Sequence, residues 1–254
     1  MKQRALVVTY HAIEPDASPL SVDAALLAEH LDRVASSGAT TLTVSALAEA
    51  ARAGRLPDRA VALTFDDGFA SVAELAAPLL LERGLVATVF CVAGRLGGSS
   101  DWPSQRSSVA GRPLATAAQL AELARQGWEI GSHGLDHEPL PNLARASLPH
   151  ELGESRRILE EATESPVRAF AYPYGATVPA LVPLLAEAGY GAACTTRIGI
   201  VGPSVSPFAL PRVDVHYIRA PRRFESALEG SSTLYLGARG AAARARRLLL
   251  SDYR

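Results

Sequence analysis

Short, nearly continuous apolar runs alternate along this chain with longer stretches in which leucine and valine recur every three or four residues. The first kind reads as strands buried on both faces, the second as amphipathic helices. Ala5 to Tyr10 is the first strand and ends in His11. Val22, Leu26, Leu27, Leu31 and Val34 then keep helical spacing up to Gly38, and a second helix fits Ser45 to Arg52. Val61–Phe65 is a strand that runs into Asp66-Asp67-Gly68. Ser71 and Glu74 have capping-box spacing for the next helix, which Pro78 should kink or delay to a later start. Leu85–Val92 is a valine-rich strand, and 94–113, rich in Gly, Ser and Pro, is a candidate binding loop. Thr116 and Gln119 form another capping box, for a helix closed by Gly127.

Further along, Trp128–Gly131 is a strand that ends in Ser132-His133. A helix spans Leu148 to Ala162, a strand Val167–Tyr172 and a helix Val178–Ala188; Gly191–Thr195 and Ala209–Val215 are the last strands. From Ala238 to Leu250 arginines interleave with alanines and leucines, as on a solvated helix face. Strand and helix alternate with no repeat and no linker, which predicts a mostly parallel sheet wrapped by helices in one domain spanning 1–254. In such folds chemistry collects at the C-terminal strand ends. Asp66-Asp67, His133 and Tyr172-Pro173-Tyr174-Gly175 all fall at strand ends.

Composition narrows the partners. The formal net charge is −1 over 254 residues, so no nucleic-acid footprint is expected. No apolar run approaches the roughly 18 residues that span a bilayer. The start, Met1-Lys2-Gln3-Arg4 and a short apolar run, is too brief for a secretory leader, and a cytoplasmic protein is expected. Cys91 and Cys194, inside apolar runs, read as buried free thiols.

Two adjacent acids at the end of an apolar strand would each carry a desolvation penalty of several kcal/mol unless paired or bound to a cation. His133 and His137, four residues apart, can reach one metal from a tight loop. Two histidines and one aspartate make a three-ligand site with open positions for water and substrate. Neighbouring residues at a strand end point in different directions. One carboxylate can therefore coordinate while the other serves as general base.

Thr64-Phe65-Asp66-Asp67-Gly68, Ser132-His133 with His137, and Tyr172-Pro173-Tyr174-Gly175 together resemble the polysaccharide deacetylase family (carbohydrate esterase family 4, NodB homology). Tyr10-His11, Gly127–His133 and Leu210-Pro211-Arg212 resemble one bacterial branch of it, so the resemblance covers about residues 5 to 216. It implies a distorted (β/α) barrel with about seven parallel strands, a divalent metal, most often Zn2+ with Co2+ as an option, and removal of acetyl from N-acetylated sugars. By position it implies Asp66 as catalytic base, and Asp67, His133 and His137 as metal ligands. The backbone N–H of Tyr174 falls where the family stabilises the oxyanion.

The chain departs from the family's pattern in three places. Ala171 stands where many members carry an arginine that pairs with the base, and Arg212 is the candidate replacement. Gly134 stands where Ser or Thr is frequent. The late histidine that acts as general acid has no clean match; His216, with Asp214 to orient it, is the nearest candidate. His11, at its strand end, is expected to line the site. Trp102, in the long loop, is the candidate sugar-stacking face, whereas Trp128 reads as core.

These residues predict a metal-dependent hydrolase of an N-acetylated carbohydrate. The same site could serve O-acetyl esters or non-sugar cyclic amides, and an inactive carbohydrate-binding protein on the same fold is the third reading. A glycosidase is disfavoured, because adjacent acids cannot flank one bond about 5 Å or more apart.

Overall fold

The computed structural model describes residues 4–15, 18–102 and 110–250, with side chains excepted at 233 and 243–250. The chain opens with β1 (Ala5–Tyr10), β2 (Ala12–Ile13), β3 (Ser21–Val22) and α1 (Ala24–Ser36). It continues through β4 (Thr40–Thr41), α2 (Val44–Arg52), β5 (Ala60–Phe65), α3 (Ala77–Leu81) and β6 (Thr88–Cys91). Then come α4 (Ala117–Arg125), β7 (Glu129–Ser132), α5 (Leu148–Thr163), β8 (Ala169–Ala171), α6 (Leu181–Glu187) and β9 (Ala192–Cys194). The last elements are β10 (Val213–Asp214), α7 (Val215–Ile218), α8 (Pro221–Leu228) and α9 (Thr233–Leu250).

Seven strands in the order β10-β1-β5-β6-β7-β8-β9 pair in parallel and curl into a half-barrel, with β4 added beside β5. The edges approach one another through the segment ahead of β10: Leu210 N–H donates to Ala193 O and Thr195 N–H to Leu210 O, both at 2.9 Å. That contact carries Pro211 and Arg212 to the middle of the half-barrel's mouth.

Side-chain parity along the strands divides the core in two. Ala5 and Val7 of β1, Ala60 and Ala62 of β5, Phe90 of β6 and Ala169 and Ala171 of β8 face inward, packed with Val44, Leu47, Ala48 and Ala51 of α2. Leu6, Val8 and Tyr10, and Val61, Leu63 and Phe65, face outward onto Leu27, Leu31 and Val34 of α1 and the other helices. Both faces are dry, so the strands carry no polar alternation. Small residues dominate inside because α2 and the Phe90 ring already fill that space. Glu129 ties α2 down from within, its carboxylate accepting Ser45 N–H at 3.2 Å and the Thr88 hydroxyl at 2.8 Å.

The structure corrects several local expectations. Ser71 makes no cap; its Oγ accepts Ile13 N–H at 3.1 Å, tying the strand β2 to the helical segment instead. At Pro78 the later start is what forms: a π-turn over Val72–Ala76 leads into α3 at Ala77, in which proline occupies the first turn and needs no N–H partner. The Thr116–Gln119 capping box forms. The expected strand 209–215 is mostly irregular: a 3-10 turn over Pro207–Ala209, two residues of β10, then α7. The tail helix begins at Thr233 rather than Ala238, and α8 before it carried no signal that the spacing revealed. Of the 94–113 loop, residues 103–109 lie outside the described residues, as do the side chains of Arg244, Arg246 and Arg247.

Gly131 of β7 tests the packing. A Cβ there would lie 2.5 Å from the Phe90 ring and 3.1 Å from Ala169 O. Gly131→Val is expected to cost about 1–3 kcal/mol by overpacking, seen as a lower thermal midpoint of a still folded protein. A wild-type midpoint would show that the interior is looser than described.

Candidate metal centre and active site

The inward parity of β5 continues through Thr64 to Asp66. Thr64 Oγ1 donates to Val8 O at 2.9 Å, and Asp66 N–H donates to Tyr10 O at 2.9 Å, so the ladder with β1 extends to the acid. The next two residues leave strand geometry. Asp67 (φ 70) and Gly68 (φ 74) are both left-handed, which turns the chain and brings the Asp67 carboxylate back over the mouth. Only glycine fits at 68, since a Cβ there would meet the Cys91 Cα at 3.2 Å. A left-handed aspartate costs of order 1–3 kcal/mol, and such strain gathers at functional sites.

Beyond β7, His133 N–H donates to Cys91 O at 2.8 Å and fixes the start of the loop to His137. The two imidazoles face one carboxylate oxygen: His133 Nε2 lies 3.5 Å and His137 Nε2 3.3 Å from Asp67 Oδ1. The candidate ligand atoms of Asp67, His133 and His137 all lie within 4.8 Å of one another, and all three residues are buried.

The donor set fits a divalent metal. His133 Nδ1 lies 2.7 Å from Ala171 O, which can only accept, so Nδ1 carries the proton and Nε2 presents a lone pair. Burial pushes the His133 pKa down to about 4, which keeps the ring neutral as a ligand must be. The Nδ1 of His137 is held by the Tyr174 hydroxyl at 3.0 Å. Ala171, where the arginine was looked for, thus serves through its carbonyl.

The guanidinium comes instead from Arg212. Its Nη1 and Nη2 donate to Asp66 Oδ1 and Oδ2 at 2.6 and 2.7 Å, a bidentate pair with both residues buried. Arg212 Nε donates to Thr195 O at 3.1 Å, and the plane lies 5.6 Å from the Phe90 ring centre. Burial alone would raise the Asp66 pKa, but the Arg212 charge and hydrogen bonds, with lesser help from His133 and His11, hold it well below the ordinary carboxylate range.

A cavity of about 280 Å³ opens over these groups, lined among others by His11, Asp66, Asp67, His133, His137 and Tyr174. His216 also borders it, but from the exposed start of α7. Asp214 caps that helix by accepting the His216 backbone N–H at 2.8 Å. Asp214 is expected to orient the His216 ring, but its carboxylate bonds the His216 backbone instead. Trp102 departs from expectation most. It is 2% exposed, and its ring packs 4.4 Å from that of His137, so it backs a candidate ligand and offers no face to a sugar. The exposed aromatic at the mouth is Tyr174, 42% exposed. Trp128 is core, its ring tilted against Phe65.

Glu151 was missed by sequence reasoning. It accepts Leu135 N–H at 2.7 Å inside the His133–His137 loop. The available signal was a carboxylate on the buried stripe of α5, with Leu148, Leu152, Ser155 and Leu159.

A parallel half-barrel with a candidate Asp-His-His metal site and an arginine-clamped aspartate at its mouth is the architecture of a hydrolase. The profile of the polysaccharide deacetylases matches residues 53–193, and the chain belongs to that family. YxkH of Bacillus subtilis strain 168 is 25% identical over 210 residues, spanning 82% of this chain and 70% of that protein. A poly-beta-1,6-N-acetyl-D-glucosamine N-deacetylase of Staphylococcus aureus is 24% identical over 169 residues, 63% of this chain, which spans only 56% of that relative's length. Among solved structures, the Streptococcus pyogenes deacetylase PplD superposes with a TM-score of 0.77 at 22% identity, covering 90% of this chain and 99% of that one. This last likeness concerns the fold.

The Arg212–Asp66 pair makes a stability prediction. Arg212→Ala leaves a buried unpaired carboxylate and is expected to cost about 3–5 kcal/mol in denaturant unfolding. Because the folded Asp66 pKa lies below its unfolded value, the unfolded state binds the proton more readily. The pair's stabilisation is therefore present above about pH 4 and is lost as pH falls further. Asp66→Asn should flatten this acid limb; an unchanged limb would show that the pair is not what stabilises it.

Proposed function

We propose that this protein is a metal-dependent hydrolase that removes acetyl groups from an N-acetylated carbohydrate. The observation that carries it is the pairing of an arginine-clamped carboxylate with an adjacent three-ligand set over one open cavity. Asp67, His133 and His137 would hold the metal, with Zn2+ suited to a neutral two-histidine, one-carboxylate set and Co2+ an alternative. When bound, such a metal supplies Lewis acidity, polarising a carbonyl and acidifying water.

The protein's own groups account for the rest. Arg212 keeps both Asp66 oxygens oriented and ionised, so the carboxylate is always ready to take a proton. It is a weak base, because its pKa lies below the usual range. Its adjacency to Asp67 would set the Asp66 carboxylate beside the water that a bound metal would acidify. The leaving amine needs a proton from a second group at the cavity. We assign this to His11, which lines the cavity and whose neighbour Tyr10 accepts the Asp66 backbone N–H through its carbonyl. His216, on the exposed rim, is the second candidate. The backbone at Tyr174 borders the same cavity, where the family resemblance assigns the oxyanion donor.

The acyl linkage follows from kinship: the Staphylococcus aureus relative is named for N-deacetylation of poly-beta-1,6-N-acetyl-D-glucosamine. An open cavity lined by His11, Tyr174 and Tyr217 suits a sugar presented on a chain. Among the described residues, no helix is long and apolar enough to cross a membrane.

Acetate release from β-1,6-linked N-acetylglucosamine oligomers is the test. Chelation should abolish it and zinc or cobalt restore it; full activity in metal-free protein would refute the proposal. Asp66→Asn should keep metal binding while kcat falls about 10²–10⁴-fold. Asp67→Asn should weaken metal binding itself. His11→Ala should lower kcat by a similar factor, and if His216→Ala does so instead, the acid role moves to His216.

A further inference from the structure

The loop from His133 to His137 must hold two imidazoles on one point. Its two rings are tied to the Ala171 carbonyl and the Tyr174 hydroxyl, and Ser132 Oγ accepts Gly134 N–H at 3.2 Å, which leaves the middle of the loop to be held from outside. Its backbone is left-handed at Gly134 (φ 86) and at His137 (φ 59). On one side it is strapped by β6's continuation, with Ala93 N–H donating to Gly134 O at 2.9 Å and Gly94 N–H to Leu135 O at 2.8 Å. On the other side stands Glu151, reaching out of α5 from a helix face otherwise packed into the core. Its Oε1 accepts Leu135 N–H at 2.7 Å. That amide is at the middle of the loop.

Gly134 belongs to the same device. A Cβ on residue 134 would lie 2.9 Å from Glu151 Oε1. The glycine that replaces the usual Ser or Thr leaves the space that the carboxylate occupies. Glu151 itself is 6% exposed, and a polar group so buried is retained where it has a partner. Burial pushes its pKa up, and in either protonation state a carboxyl oxygen remains to accept the loop amide.

We propose that Glu151 is the positioning residue of the metal centre: it sets the His133–His137 loop in its ligating conformation, in place of a side chain within the loop. This rests on the reading of Asp67, His133 and His137 as metal ligands. Glu151 touches neither substrate nor ligand atoms in this arrangement, so its effect should appear first in metal affinity. Outer partners of metal ligands are typically worth 10–100-fold in affinity.

The test is chelator-competition titration of Zn2+ into the full chain, with Co2+ absorption as a report on ligand geometry. Glu151→Ala is expected to bind zinc about 10–100-fold more weakly and to alter the cobalt bands. Glu151→Gln keeps one acceptor oxygen and should fall between it and wild type. Gly134→Ala, which crowds the carboxylate at a left-handed position, should weaken zinc in the same direction. Glu161→Ala, on the exposed face of the same helix, should leave affinity and spectrum unchanged. If wild type binds no zinc, the metal reading itself fails. If wild type binds zinc and folded Glu151→Gln and Gly134→Ala bind it equally well with unaltered cobalt bands, the role of Glu151 is overturned. Glu151→Gln and Gly134→Ala decide the matter even if Glu151→Ala does not fold.

Discussion

The bidentate contact between Asp66 and Arg212 is the constraint on which the rest of the site depends. Two opposite charges are taken out of water at the mouth of a half-barrel, and each alone would be strongly unfavourable there. They are tolerated because every oxygen of the carboxylate meets a guanidinium N–H and the remaining Nε finds the Thr195 carbonyl. The contact spans 146 residues of chain and joins the end of β5 to the segment that brings β9 towards β10. It therefore fixes the orientation of the proposed base and braces the fold's least regular seam in one interaction.

Around that pair the architecture is a division of inward and outward positions. The inward residues of β1, β5, β8 and β9 are mostly alanine, which leaves room for α2 and for the Phe90 ring beneath the arginine. At the strand ends the same parity delivers Thr64 and Asp66 inward. A left-handed turn at Asp67 and Gly68 then breaks the parity, so that two consecutive carboxylates enter one cavity by different routes. The histidines arrive from β7, two strands along, oriented by the Ala171 carbonyl of β8 and the Tyr174 hydroxyl just beyond it. Each candidate ligand is thus set by an element other than its own, which is how a rigid sheet places a loop site accurately.

Much of the fold was legible because its elements obey local rules. Strands buried on both faces read as continuous apolar runs, helices as leucine at three- and four-residue spacing, and the Thr116–Gln119 cap as a box. Where local chemistry offered two uses, the chain chose the tertiary one. Ser71 had the spacing of a cap but spends its oxygen on Ile13, and Trp102 had the look of a surface aromatic but fills the space behind His137. Neither outcome follows from neighbours in sequence.

The sequence by itself determined the order of strands and helices, the gathering of Asp66, Asp67, His133, His137 and Tyr174 at strand ends, and the family that those motifs mark. These depend on periodicity and short spacing, which are local quantities. The sequence also made Arg212 a candidate partner and His11 a candidate lining residue. Only the tertiary structure decided that Arg212 clamps Asp66 with no arginine at 171, that Glu151 accepts the Leu135 amide of the His133–His137 loop, and that His11 shares the cavity with both acids. Those are contacts across tens to more than a hundred residues, made by strand curvature and helix packing. The side chains involved, an arginine, a glutamate and a histidine, are not fixed on their partners until the barrel has curled around them.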